Sequence, residues 1–292
     1  MIMNLLNRLL NRKEPKSEII NIHNDTTPIK EPSKEISTNQ RDELVGSLTG
    51  IFSVSPTKKV RFSKGNLQYL ALNNSWHFAE HQYEIIGDAN SLIASSNNKY
   101  IDLFCWGASG FNNIFPYIGD IGDPFLYDCG RKDITSTRYD WGINNPIDNG
   151  GNKSGLWRTL TKDEWEYLLN GRDNACKLLA FGKVEGVCGL FLMPDDYTDN
   201  DITIESKSFD SNILTEEQWG LVETKGIVFL PCGGHRGSGS ELYHINISGH
   251  YWSTSLARSA MAYSFCVENN FFNAAVEDFR ESGLSVRLVT NI

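Results

Sequence analysis

The chain has 292 residues, of which 40% are hydrophobic and 22% charged, with a formal net charge of −9. That length can bury a full core in one or two domains. The acidic balance gives no basic field to attract phosphates, so nucleic acid is excluded as the main partner. No apolar run approaches the roughly 20 residues of a membrane span.

In chain order, Met1–Glu14 places Ile2, Leu5, Leu6, Leu9 and Leu10 on one helical face, with Arg8, Arg12 and Lys13 elsewhere on the turn. This predicts a basic amphipathic helix that docks on a partner through Leu5, Leu6, Leu9 and Leu10, or lies on a membrane surface. It has no continuous apolar stretch and no small-residue cleavage site, so no signal peptide is expected and the chain reads as soluble. Lys16–Asp42 is polar and poor in aromatics and reads as a disordered linker. Residues 1–46 thus form a tether, and residues 47–292 a folded domain.

The domain opens with strand patterns at Gly50–Ser55 and at Lys58–Ser63, where Val60 and Phe62 alternate with Lys59 and Arg61. Asn66–Leu72 and Ser75–Ala79 form a predicted hairpin joined at Asn73-Asn74. Gly87–Gly151 is rich in Gly and Asn but carries Trp106 and Trp141, which predicts long loops packed down on the body. Two helices share one grammar. Thr161 and Thr215 are the capping residues, with Glu164 and Gln218 three positions on and Trp165 and Trp219 next. They should end at Gly171 and Gly226. Strand patterns return at Val187–Met193 and Ile227–Leu230.

The last segment is a frame around an insert. Gly249–Ser255 and Gly283–Val289 read as strands, while Leu256–Ser282 mixes aromatic, charged and amide residues with no clean period. Such an insert reads as a recognition surface. Its candidate contacts are Leu256, Arg258, Met261, Asn269, Phe271, Asn273, Glu277, Phe279, Arg280 and Glu281, the aromatic residues supplying apolar area and the others polar specificity. Alternation along a strand turns half of such side chains into the core, and phenylalanines are the first to go there.

Several phrases occur together in this order: Val60-Arg61-Phe62-Ser63-Lys64-Gly65-Asn66-Leu67-Gln68-Tyr69, Tyr139-Asp140-Trp141-Gly142, Trp157-Arg158-Thr159-Leu160-Thr161, Leu230-Pro231, Tyr251-Trp252-Ser253-Thr254 and Ser285-Val286-Arg287-Leu288-Val289. In combination they make residues 47–292 resemble a C-type-lectin-like domain family of gut bacteria and their phages, of the formylglycine-generating-enzyme (sulfatase-modifying) type. The resemblance implies an α+β, C-type-lectin-like fold, with mixed, mainly antiparallel sheets, two helices and long ordered loops. Some relatives are variable proteins of diversity-generating retroelements, in which a C-terminal window is rewritten on a tolerant scaffold. Leu256–Ser282 matches that location. Arg158 and Arg287 fall inside family phrases and are read as structural hydrogen-bonding residues.

The functional expectation is a non-enzymatic module that binds a protein or glycan on a cell surface. The rival readings are a structural or assembly component of a phage or surface appendage, and an enzyme with an unrecognised site. The copper-dependent oxidation of the enzyme relatives uses a cysteine pair, whereas Cys266 is the sole cysteine after Cys232. The six cysteines include no C-x-x-C pair and read as reduced, mostly buried thiols. No cofactor is expected beyond a structural calcium at Asp195, Asp196, Asp199 and Asp201. His77, His81, His244 and His250 lack metal-ligand spacing, although His244 and His250 could meet across a hairpin. The glycine-rich phrase Cys232–Gly239 lacks the Lys-Ser/Thr ending of a phosphate loop, and packing is the more natural role for its His235 and Arg236.

Overall fold

The computed structural model describes residues 45–91, 94–116, 129–198, 202 and 207–292. The leucine-rich helix, the linker and the carboxylates Asp199 and Asp201 lie outside the described residues. The strands are β1 (Phe52–Ser53), β2 (Lys59–Phe62), β3 (Leu67–Leu70), β4 (Ser75–Phe78), β5 (Tyr100–Ile101), β6 (Arg158–Thr159), β7 (Leu179–Val184), β8 (Val187–Leu192), β9 (Ile213–Leu214), β10 (Val228–Pro231), β11 (His235–Arg236), β12 (Leu242–Tyr243), β13 (Ser248–Arg258), β14 (Met261–Glu268), β15 (Phe271–Phe279) and β16 (Leu288–Asn291). The α-helices are α1 (Trp141–Asn144), α2 (Lys162–Glu166) and α3 (Glu216–Glu223). The fold is α+β, and every ladder between these strands is antiparallel except β7–β9. Among the described residues no helix is long and apolar enough to cross a membrane.

The last strand closes the first sheet. β16 lies between β2 and β6, with Val289 opposite Phe62 and Leu288 opposite Thr159. The alternation at Val60 and Phe62 is the cause, since both are fully buried while Lys59 is exposed. The expected strand at Gly50–Ser55 shortens to Phe52–Ser53. Its far end turns instead, because the Ser55 hydroxyl accepts from the Thr57 and Lys58 amides.

Two of the hairpins owe their tightness to residues that tolerate positive φ. Asn74 (φ 48°) turns β3 into β4, and Glu185 and Gly186 (φ 48° and 78°) join β7 to β8. Two successive positive φ values match the twist of the flanking strands.

Both predicted helices carry their capping boxes. The Thr161 hydroxyl accepts from the Glu164 amide while Glu164 reaches back to the Thr161 amide, and Thr215 and Gln218 repeat the exchange. After Glu166 the first helix widens into a π-turn, Tyr167–Gly171. A third helix, α1, escaped the sequence reading; Asp140 caps it by accepting from the Gly142 amide.

Three clusters form the core. One packs Phe52, Phe62, Trp165, Leu190, Tyr251 and Phe265; a second collects Tyr69, Trp76, Phe104, Trp106, Trp141, Trp157 and Trp252; a third surrounds Phe191, Trp219 and Phe229. Fully burying side chains of this size contributes about 1.5–3 kcal/mol each. The long loops pack down as expected. Indole N–H groups of Trp106, Trp141, Trp157 and Trp252 donate to the carbonyls of Ser253, Ala108, Gly150 and Phe104 at 2.6–3.0 Å. Arg158 and Arg287 take structural places. Arg158 grips Glu164 with both terminal nitrogens, at 2.7 and 3.0 Å, and Arg287 is wholly buried.

Candidate functional site

The irregular window folds into regular structure. β13, β14 and β15 form a three-stranded antiparallel sheet with β15 at one edge. Tyr251, Phe265, Val267, Phe272 and Ala274 pack toward the first core cluster, where Trp165 of α2 stacks on Phe265 at 5.1 Å. Three register shifts break the alternation, one of them between Leu256 and Arg258. Another falls between Trp252 and Leu256; at the third, Ser264 and Cys266 pair with Val276 and Asn273, so β15 carries one extra residue. A bulge of this kind shifts the phase of every side chain beyond it.

The candidate contacts therefore divide into three groups. At the far end of the sheet, the exposed Arg258, Glu277 and Phe279 and the half-buried Met261 form one patch. Arg258 ion-pairs with Glu277 at 2.5 Å, its Nε lies 3.1 Å from the Met261 sulfur, and Met261 pairs across the ladder with Phe279. At the other end, Asn269, Phe271 and Asn273 surround the β14–β15 turn. Asn269 is partly committed there, because its Oδ1 accepts from the Phe209 amide at 3.0 Å. Phe271 and Phe279 are 51% and 53% exposed, whereas Phe272 turns inward against the core.

The third group departs from the expectation of surface contacts. Leu256 is half-buried against the second core cluster. Arg280 is buried, donating to the carbonyls of Gly130 and Ser259 and to the Cys129 sulfur, with its guanidinium 5.1 Å over the Trp106 ring. It holds a loop in place and presents no charge to a ligand. Glu281 is half-buried, and its carbonyl accepts from the Cys105 thiol.

Beside the β14–β15 turn lies a groove that the sequence reading missed. One part, of about 280 Å³, is lined by Leu169, Asn170, Cys176, Phe181, Lys207 and Phe272. It adjoins a second hollow of about 260 Å³ that shares Asn170, Lys207 and Phe272 and adds Phe271 and Asn273. Leu169 and Asn170 come from the π-turn, a rare local geometry that recurs at functional sites. Only the run Leu168-Leu169-Asn170-Gly171 at the helix end could have flagged it.

All six cysteines are free, and five are buried, with Cys176 exposed. Asp195, first of the expected calcium carboxylates, is already engaged: Ser53 donates to it through its amide and its hydroxyl, and Arg172 pairs with it at 3.2 Å. Burial raises the Asp195 carboxyl, but these donors outweigh it and hold the group below its usual range. Arg236 is buried and donates to the carbonyls of Asn90 and Leu103, so it does not reach a ligand face. His235 lies between two imidazoles, 5.6 Å from His244 and 5.0 Å from His250. Burial and the neighbouring His250 lower its pKa.

The fold thus defines an α+β protein built mainly from antiparallel sheets, with two exposed phenylalanines, Phe271 and Phe279, at the two ends of the edge strand β15. Comparison with family models, with curated proteins and with solved structures returned no match to this chain.

Proposed function

We propose that the chain is a non-enzymatic recognition module with a C-type-lectin-like fold, and that it binds a protein ligand through the outer strand β15 and the groove beside it. The observation that carries this reading is the outer edge of β15, which pairs with no strand but β14 among the described residues. β15 runs for nine residues at the margin of its sheet and exposes Phe271 and Phe279. An exposed edge strand with outward aromatic residues offers backbone hydrogen bonds and apolar anchors together, the combination used in strand-addition binding. Monomeric proteins ordinarily blunt such edges. The resemblance to retroelement variable proteins supports the same assignment, since the exposed members of the window lie on turns and on an edge while its frame is core.

The test uses the fluorescently labelled full chain on a panel of intact bacterial cells. Wild type is expected to bind at least one cell type. Binding should fall at least tenfold in the Phe271→Ser/Phe279→Ser double variant and after protease treatment of the cells. Equal binding by wild type and double variant on every cell type would overturn the proposal. Loss of binding after glycosidase but not protease treatment would replace the protein ligand by a glycan.

A further inference from the structure

We infer that His250, Cys266 and Glu268 form a binding site for a zinc-like divalent metal ion on the face of the C-terminal sheet opposite Trp165. Cys266 and Glu268 pair across the ladder with Asn273 and Phe271 beside the groove, but the inference does not depend on the proposed ligand.

Strand pairing builds the donor set. His250 of β13 sits directly across from Cys266 of β14, and Glu268 follows two positions later on the same face. One ligand atom from each lies within 4.8 Å of the others. The Cys266 sulfur is 3.7 Å from His250 Nε2 and 3.9 Å from Glu268 Oε1. A tetrahedral zinc ion, with Zn–S of about 2.3 Å and Zn–N of about 2.0–2.1 Å, holds its sulfur and nitrogen ligands about 3.6 Å apart. The backbone therefore already sets the two inner donors at the required separation. Glu268 is exposed and closes on the ion by rotating its side chain.

The surroundings of His250 carry the argument further. Its Nδ1 faces Asp278 Oδ2 at 3.6 Å, and Asp278 is held from behind by the Ser264 hydroxyl. A carboxylate behind the imidazole favours the proton on Nδ1 and leaves the Nε2 lone pair for a metal, the outer-shell arrangement common at zinc–histidine sites. His235 stands edge-on to His250, and its buried Nδ1 has no hydrogen-bond partner among the described residues. It stands beside the donor set without joining it, and a water molecule completes the tetrahedron.

The same residues also resemble a thiol–imidazole–carboxylate arrangement for nucleophilic catalysis. The charges decide between the two. A nucleophilic cysteine needs positive surroundings to stabilise its thiolate. Cys266 instead lies beside the carboxylate of Glu268 and is only 3% exposed. A divalent cation placed among thiolate, carboxylate and imidazole satisfies all three. Binding is a substitution: the Cys266 thiol gives its proton to solvent as the sulfur–metal bond forms.

The experiment uses the full chain, stripped with a chelator and titrated with Zn2+ and, as a spectroscopic substitute, Co2+. The expected result is one ion per chain, a Co2+–thiolate charge-transfer band, and a melting temperature that rises with Zn2+. Cys266→Ser should abolish the band, and the same substitution at the exposed Cys176 should leave it unchanged. Asp278→Asn should weaken binding about 10- to 100-fold without removing the band. If Cys266→Ser fails to fold, Glu268→Gln at the exposed position reads the same loss of affinity. A metal that binds without a thiolate band, binding unaffected by Glu268→Gln, or rapid alkylation of Cys266 in the metal-free native protein would each overturn the assignment.

Discussion

Gln82 bridges two charges that never meet. Its Oε1 accepts from Nη2 of the fully buried Arg287 at 2.6 Å, while its Nε2 donates to Glu223 Oε1 at 2.9 Å. The same side chain also accepts from the Phe229 amide and donates to the Ile227 carbonyl. The other acceptors of Arg287 are the neutral oxygens of Asn66 and Phe229, at 3.4 and 3.5 Å. Burial lowers the guanidinium to about 10, so it still carries its charge at neutral pH. Gln82→Leu leaves that charge buried and short of acceptors and is expected to cost about 3–5 kcal/mol in urea unfolding. Arg287→Met removes the charge itself and should cost less than Gln82→Leu. The double variant should lose less than the sum of the two, since the pair acts as a unit.

Asp102 gives the protein a stability term that falls with rising pH. Burial raises its carboxyl from the usual 3.8 to about 6, against the opposing hydrogen bonds from Asn90 and the Ile86 amide. The folded state therefore holds a proton that the unfolded state has released. Its contribution is fully present below about pH 4 and is lost as pH rises through 6, a swing of about 3 kcal/mol. Asp102→Asn, which cannot ionise, should gain on wild type by that amount between pH 4 and pH 7, measured as the difference in unfolding free energy. A constant difference across that range would contradict the assignment.

Much of the scaffold is legible in the sequence because its rules are local. Val60 and Phe62 announce β2 by simple alternation, and Thr161 and Thr215 announce their helices through groups three residues away. The C-terminal window is illegible for the opposite reason. Three long strands lie there, but the register shifts after Trp252 and Ser264 break the alternation, so the text reads as an irregular insert. Arg280 looks like a surface charge until the carbonyls of Gly130 and Ser259 are brought to it from distant segments. His250 and Cys266 are likewise neighbours only through cross-strand pairing, which no spacing rule for metal ligands encodes.

The window should therefore respond to substitution in two ways. Phe271 and Phe279 are more than half exposed, so replacing either by Ser should move stability by no more than about 0.5 kcal/mol. Phe265, stacked on Trp165 and fully buried, should lose about 3–5 kcal/mol on truncation to Ala. Chemical denaturation of the three variants checks both statements. A large loss at Phe271 or Phe279 would mean that these rings support the fold rather than face a ligand.

Cys176 offers a direct handle on the groove. It is the exposed member of the six thiols and lines the hollow with Phe181, Lys207 and Phe272. The five buried thiols are shielded, and burial together with the nearby Glu268 and Asp278 raises Cys266 to about 12, far from thiolate at neutral pH. A maleimide reagent should accordingly label native protein rapidly at one position, read by intact mass, and Cys176→Ser should abolish that fast phase. Denaturant should open the remaining five. A bulky adduct on Cys176 is expected to fill the hollow lined by Phe181, Lys207 and Phe272. If the groove takes part in recognition, the labelled chain should bind target cells at least tenfold more weakly than unlabelled protein, while a small methylthio adduct should leave most of the binding. Full binding by the bulky adduct would confine recognition to the edge strand and the distal patch around Arg258 and Glu277.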